Sequence, residues 1–178
     1  RVHMDAFIKG QGYSPVKCLK DAKELSMPPS LHKYIMNTRK RVDSLVDLIK
    51  TEGHVQKMTI NFPKDQNGNY YCRDEVFEYL TGNPALTVVS GGYGNLEFTK
   101  AGVDKGVGLK KLSGILNIPL DQTMAIGDTE NDLAIIKSAH IGVAMGNATE
   151  QLKADSDYIT DTNDNDGVAK AIYHFLSL

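Results

Sequence analysis

The run Ala125-Ile126-Gly127-Asp128-Thr129-Glu130-Asn131-Asp132-Leu133 passes from apolar residues directly into an acidic turn. Met124 to Ile126 suffice for a short buried strand, and Leu133, Ile135 and Ile136 recur at helical spacing behind the turn. A strand feeding a helix through Gly127-Asp128 puts Asp128 at the strand's carboxyl end, the edge at which open parallel sheets bind ligands. Asp132 follows near the start of the helix, so the two carboxylates can converge on one point. Hard oxygen ligands of this kind suit Mg²⁺, which takes one or two protein carboxylates and fills its shell with water and phosphate. Acidic residues at a helix start are equally expected as caps and dipole partners, each worth ~0.3–1 kcal/mol without any ligand. On this stretch alone the two readings stand even.

The neighbouring residues extend the alternation. Ile141 to Met145 is another apolar strand, and Asn147-Ala148-Thr149-Glu150 reads as a capping box for a following helix. Tyr158-Ile159 is a minimal strand, and Val168, Ala171, Ile172, Phe175 and Leu176 make the stripe of a final helix. Upstream, Val107, Leu112, Ile115 and Leu116 predict a helix opening near Lys105. Strands alternating with helices imply a parallel sheet.

Before Lys100 the texture changes, which places a domain boundary near Thr99. Val42, Leu45, Val46 and Ile49 predict a helix stopped by Gly53, and Val55 to Phe62 a half-buried strand with Met58, Ile60 and Phe62 on one face. Pro63 to Asn69 is a loop with an Asn-Gly turn, and Val76, Phe77 and Leu80 mark a short helix ending near Gly82. Leu86 to Val89 and Leu96 to Thr99 are strands. The Gly91-Gly92-Tyr93-Gly94 stretch between them resembles a phosphate loop but leads from strand to strand, so a hairpin turn is expected.

The chain has 178 residues, 41% hydrophobic and 24% charged, with a net charge of -2, which argues against disorder and leaves no basic footprint for nucleic acid. No apolar run approaches the ~18 residues needed to span a membrane. A small-molecule or protein partner is therefore expected. Cys18 and Cys72 sit in no CxxC arrangement, which favours reduced thiols and a cytoplasmic location over a disulfide framework. His3, His32, His54, His140 and His174 are scattered without ligand spacing. Arg1 is not a translation start, which leaves open a processed product, a recombinant junction ahead of a native Met4, or part of a longer chain.

Lys105 falls between a strand and a helix, at the same sheet edge as Asp128. A lone lysine there is usually solvated surface. Paired with downstream carboxylates, its ammonium can offset phosphate charge.

Lys105-Gly106, Gly127-Asp128 through Asn131-Asp132, Ile141 through Asn147-Ala148, and Asp166-Gly167-Val168-Ala169 follow one another in this order. Together they resemble the Cof-type sugar-phosphate phosphatases of the haloacid dehalogenase superfamily, closely over residues 100–178 and more loosely over 1–99. The resemblance implies an α/β fold: the C-terminal half of a Rossmann-like parallel core at 100–178 and an α/β cap domain at 1–99, incomplete at its N-terminus. It implies a Mg²⁺-dependent phosphatase acting on small phosphorylated metabolites, sugar phosphates foremost, through an aspartyl-phosphate intermediate. Lys105 would be the catalytic lysine bridging nucleophile and phosphate. Asp128 would bind the metal, with Asp132 supporting or joining its shell, and Asn131 would contact substrate or phosphate alongside Lys105.

The family's Asp-x-Asp followed by Gly-Thr, which carries the nucleophile, has no counterpart here. Met4-Asp5-Ala6-Phe7 has a single aspartate and no following Gly-Thr. A missing N-terminal segment or another chain is therefore expected to complete the core, and this chain alone to be inactive. The phosphorylation domain of a cation-pumping ATPase shares Gly-Asp-x-x-Asn-Asp, but Leu133-Ala134 stands here in place of its Ala-Pro. A non-catalytic binding or scaffolding fragment of such a phosphatase is the reading from a different class, which the residues upstream of Arg1 would decide.

Overall fold

The computed structural model describes residues 2–21, 24–25, 27–91 and 94–176, and the chain divides into two units, Arg1–Ala101 and Gly102–Leu178. In the first unit β1 (His3–Ile8), β2 (Gln11–Pro15), β3 (Lys40–Val42), β4 (Lys57–Asn61), β5 (Leu86–Ser90) and β6 (Leu96–Lys100) form one sheet in the order β3-β2-β1-β4-β6-β5. Its pairs are antiparallel apart from β2–β3. The register aligns Met4, Ile60 and Leu96 across three strands, and Val76, Phe77 and Leu80 of α4 (Arg73–Thr81) pack on that face.

The opposite face is polar, yet His3, Asp5, Ser14, Thr59 and Asn61 are all buried in it. Strand β4 thus differs from the half-buried expectation: Ile60 is buried against α4, and Thr59 and Asn61 are buried on the opposite, polar face. Val42 also departs from the expected helical stripe. It ends β3, and Ser44, whose side chain accepts the Asp47 N–H, starts α3 at Leu45–Glu52 with Gly53 closing it. Helices α1 (Val16–Asp21) and α2 (Pro29–Thr38) lie between β2 and β3 in sequence. Antiparallel pairing of Ser90 with Leu96 makes β5–β6 the expected hairpin, although Gly92 and Tyr93 at its tip lie outside the described residues. Cys18 and Cys72 are both free thiols.

The second unit carries a parallel sheet of β7 (Met124–Gly127), β8 (Ile141–Ala144) and β9 (Tyr158–Ile159) in the order β7-β8-β9. Its helices are α5 (Lys105–Leu116), α6 (Leu133–Ser138), α7 (Glu150–Ala154) and α8 (Gly167–Leu176). Ala125, Ile136, Ala144, Met145, Ala148 and Leu152 make its buried core. The stripe expected to bury α5 behaves otherwise: Leu112, Ile115 and Leu116 are exposed, while Gly106 and Ser113 are buried. Gly106 brings α5 against α6, and the large apolar residues are left exposed. The cap of α7 is Thr149, whose side chain accepts the Leu152 N–H, so Asn147 is released from the capping role its sequence suggested. Among the described residues no helix is long and apolar enough to cross a membrane.

Candidate active site

The site is assembled where α5 meets the β7–α6 turn, and two glycines allow that approach. A methyl group on Gly106 would run into the Ala134 carbonyl and the Ser138 hydroxyl of α6, so only glycine lets α5 come this near. A methyl on Gly127 would collide with the Asp132 side chain, which folds back over the turn. Asp104 caps α5 by accepting the Val107 N–H at 2.8 Å, and this sets Lys105 as the first residue of the helix.

From there the Lys105 ammonium donates to Asp132 Oδ1 and, at 3.2 Å, to Asn131 Oδ1. Asp132 Oδ2 reaches back to the N–H groups of Asp128 (3.1 Å) and Thr129 (3.4 Å), the geometry of a capping box. The Thr129 hydroxyl donates to Asn131 Oδ1 at 2.7 Å. Lys105, Asn131, Asp132 and the Asp128 backbone are thereby joined in one hydrogen-bonded cluster. The side-chain carboxylate of Asp128 takes no part in the cap. Its Oδ2 accepts the Asn147 side-chain amide at 3.4 Å, and the residue is exposed.

A second loop holds Asp128 from the β8 side. Met145 N–H donates to Gly127 O at 2.9 Å, and Thr149 N–H to Asp128 O at 3.2 Å. Asn147 Oδ1 accepts the Asn163 N–H at 2.9 Å, which links this loop to the turn before α8. In that turn the Lys170 ammonium, then the Thr162 N–H and the Asn165 amide, hold the Asp161 carboxyl below the usual carboxylate range.

Asp132 has both oxygens engaged, by an ammonium and by two N–H groups, whereas Asp128 offers a carboxylate with spare lone pairs. Among the described residues no three His, Cys, Asp or Glu side chains gather around one point. Such a donor set fits Mg²⁺, which needs one or two carboxylates and keeps several waters, and does not fit a metal requiring an all-protein cage. Thr129 and Asn147 escaped the reading of the sequence. The signal for Asn147 was present but pointed to a helix cap, and nothing in the spacing marks Thr129 as a partner of Asn131.

Away from this site, one charged cluster lies under the first sheet. Asp5 accepts from Arg39 Nε (2.9 Å) and the Ser14 hydroxyl and hydrogen-bonds His3 Nε2 at 2.9 Å, while His3 Nδ1 lies 3.2 Å from Cys18 O. Burial pushes the Asp5 carboxyl up, but the His3 hydrogen bond and charge, with Ser14 and Arg39, outweigh it and hold the group below its ordinary value. His140 serves through its backbone N–H, which reaches Thr123 Oγ1 at 3.3 Å, and His174 stacks on Tyr158 with ring centroids 4.5 Å apart.

Three relatives bear on this geometry. Phosphatase YwpJ of Bacillus subtilis is 34% identical over 177 residues, which cover 98% of this chain and 58% of that protein. The 5-amino-6-(5-phospho-D-ribitylamino)uracil phosphatase YcsE of the same organism is 45% identical over 104 residues, 58% of this chain and 42% of that one. The solved structure of BT4131, described as a subclass IIB sugar phosphatase of the haloacid dehalogenase superfamily, superposes with a TM-score of 0.72 at 26% identity, covering 99% of this chain and 62% of that one. The chain thus spans less than two thirds of each of these relatives. Residues 17–172 match the family model described as haloacid dehalogenase-like hydrolase, and by that match, extending through both units, the chain belongs to the haloacid dehalogenase-like hydrolase family.

Proposed function

We propose that this chain is the C-terminal part of a phosphatase that hydrolyses small phosphorylated metabolites, sugar phosphates foremost, with residues 1–99 as its cap and 100–178 as half of its core. The observation that carries the reading is the Lys105 ammonium held by Asn131 and Asp132 beside the exposed Asp128 carboxylate. The phosphatase names of YwpJ and YcsE and the sugar-phosphatase description of BT4131 support the substrate class.

An ammonium has three N–H groups, and Lys105 spends two on the cluster, leaving one to meet a phosphoryl oxygen or the attacking group. Asp132 fixes where that ammonium stands. The nucleophile is a carboxylate from a segment outside this sequence. It attacks phosphorus as the ester P–O bond breaks, and the departing alkoxide takes a proton from solvent. Water then attacks the same phosphorus, releasing inorganic phosphate and restoring the carboxylate. Asp128 would hold Mg²⁺, with Asp132 behind it. That ion, when bound, supplies positive charge against the equatorial oxygens of the transferring group.

The experiment is turnover of p-nitrophenyl phosphate by the complete protein with Mg²⁺, with excess chelator, and with Asp128→Asn. Activity that needs the metal and falls in the variant is expected, and full activity of the variant without metal would sink the reading.

A further inference from the structure

We infer that Thr129 is a positioning residue, which locks the Asn131 amide so that both of its N–H groups face the phosphate-binding space. This rests on the proposed reading that Asn131 contacts phosphate, and it adds the residue that makes Asn131 a donor there.

The oxygen and nitrogen of an asparagine side chain are told apart by what surrounds them. Asn131 Oδ1 meets two donors, the Thr129 hydroxyl at 2.7 Å and the Lys105 ammonium at 3.2 Å. An ammonium cannot accept a hydrogen bond. Turning the amide over would set its NH₂ against that ammonium, so the ammonium decides which end faces it, while the threonine hydroxyl holds the amide in place. The oxygen is therefore fixed toward Lys105, and Nδ2 points away from both partners. Among the described residues it has no acceptor, and Asn131 is only half-buried.

Lys105 alone would not enforce this orientation. Its ammonium is exposed on a flexible four-carbon stem, and its strongest attachment is to Asp132, not to Asn131. Thr129 is two residues from Asn131, β-branched, and its χ1 is stiff, so its hydroxyl is the rigid half of the clamp. With the clamp closed, the two Asn131 N–H groups and the remaining Lys105 N–H form a donor-only surface. That surface suits the unprotonated oxygens that a phosphate ester or inorganic phosphate carries near neutral pH. With the clamp open, the amide can present its carbonyl to the same anion and repel it.

The test uses the complete protein and inorganic phosphate as the probe, read as a product-inhibition constant, with Thr129→Val, Thr129→Ser and Asn131→Ala compared. The Asn131 side-chain amide is followed in parallel by ¹⁵N NMR. Thr129→Val is expected to weaken phosphate about tenfold, the scale of one hydrogen bond to a charged group. Its Asn131 amide should lose order, while Thr129→Ser, which keeps the hydroxyl, stays within about twofold of the unaltered protein on the same scale. Wild-type phosphate affinity in Thr129→Val, with a tenfold loss in Asn131→Ala, overturns the role of Thr129 and leaves the Asn131 contact standing. Unchanged affinity in Asn131→Ala overturns the contact itself, and the role of Thr129 with it. Equal loss in Thr129→Ser and Thr129→Val overturns the inference, because the hydroxyl would then not be the cause. An Asn131 amide already disordered in the unaltered protein overturns it without any variant, which covers the case in which Thr129→Val does not fold.

Discussion

The Lys105 ammonium is seated on the carboxylate of Asp132, 27 residues away in the chain, and the same carboxylate closes the turn that carries Asp128. One side chain thereby fixes both the position of the lysine and the direction of the backbone at the candidate metal ligand. Asp132, read from sequence as either a cap or part of a metal site, makes the hydrogen bonds of a cap, and Asp128 four residues earlier keeps its carboxylate outside that cap.

That division of labour predicts different failures. In the complete protein Lys105→Ala should lower turnover about ten- to a hundredfold even at saturating Mg²⁺, since a charge-assisted phosphate contact is worth ~1.5–3 kcal/mol. Asp128→Asn should instead raise the Mg²⁺ concentration needed for half-maximal rate. Rate measured against Mg²⁺ for the two variants separates the outcomes, and identical metal curves would contradict the assignment.

Gly106→Val should damage both fold and site. The added side chain would overlap the Ala134 carbonyl, which α6 cannot move without disturbing the turn at Asn131 and Asp132. Overpacking of this kind costs ~1–3 kcal/mol. A thermal midpoint lowered by several degrees together with reduced turnover is expected. An unchanged midpoint would mean that α5 and α6 are not held as closely as their packing indicates.

Much of this was legible in residues 124–178, because each strand there is a short apolar run and each turn carries its polar residues in a compact order. Asp128, Asn131 and Asp132 could be placed at the carboxyl end of β7; Lys105 could be picked out too, but not by a shared sheet edge, since β6 before it belongs to the other sheet and its ammonium reaches Asp132 from α5. Periodicity failed where packing depends on small residues. The large apolar positions of α5 suggested its buried face, yet Gly106 and Ser113 are the buried residues, since close helix contact needs the absence of bulk. Asn147 was misread for a related reason: a side chain able to cap a helix is equally able to brace a carboxylate, and the choice is made by Asp128, distant in sequence. The buried polar cluster of His3, Asp5 and Arg39 left no pattern that was read, being completed by a residue beyond α2.

Asn147→Ala should loosen the Asp128 carboxylate without removing it. Groups that orient a metal ligand typically contribute 10–100-fold in affinity or activity. The expected result is weaker Mn²⁺ binding, read by electron paramagnetic resonance, with a melting point close to that of the unaltered protein. Binding as tight as in the original would show that the 3.4 Å contact does not constrain Asp128.

Acid should undo the first unit through Asp5. Its carboxyl is held below the ordinary value in the folded protein, so its contribution to stability is present above the unfolded carboxylate range, near pH ~4. That contribution is lost as the pH falls through the depressed folded value. Asp5→Asn leaves Arg39 without a counter-charge and should cost ~3–5 kcal/mol near pH 7, the penalty for breaking a buried pair. Urea denaturation of protein and variant across falling pH gives the check: their stability difference should shrink toward acid, and a constant difference would refute the linkage.

The last prediction concerns residues 1–178 by themselves: they should hydrolyse p-nitrophenyl phosphate no faster than background. Lys105 and Asn131 can hold a phosphoryl oxygen, and Asp128 can hold a cation, but holding leaves out the covalent step. Phosphate monoesters are among the slowest esters to hydrolyse unaided, with enzymes accelerating them by up to ~10²¹-fold. A site with positioning and charge but no nucleophile forgoes the largest part of that. The edge strand β7 gives a second reason, since among the described residues its side away from β8 pairs with no other strand. A further strand added there would place its own carboxyl end beside Asp128. The assay is run with Mg²⁺ on the 178-residue chain, and repeated after adding a peptide that carries an Asp-x-Asp-Gly-Thr strand from a relative of the family. Silence in the first and turnover in the second are expected. Turnover by the chain alone that vanishes in Asp128→Ala would show that the nucleophile lies within these residues and that the proposed division of the core is wrong.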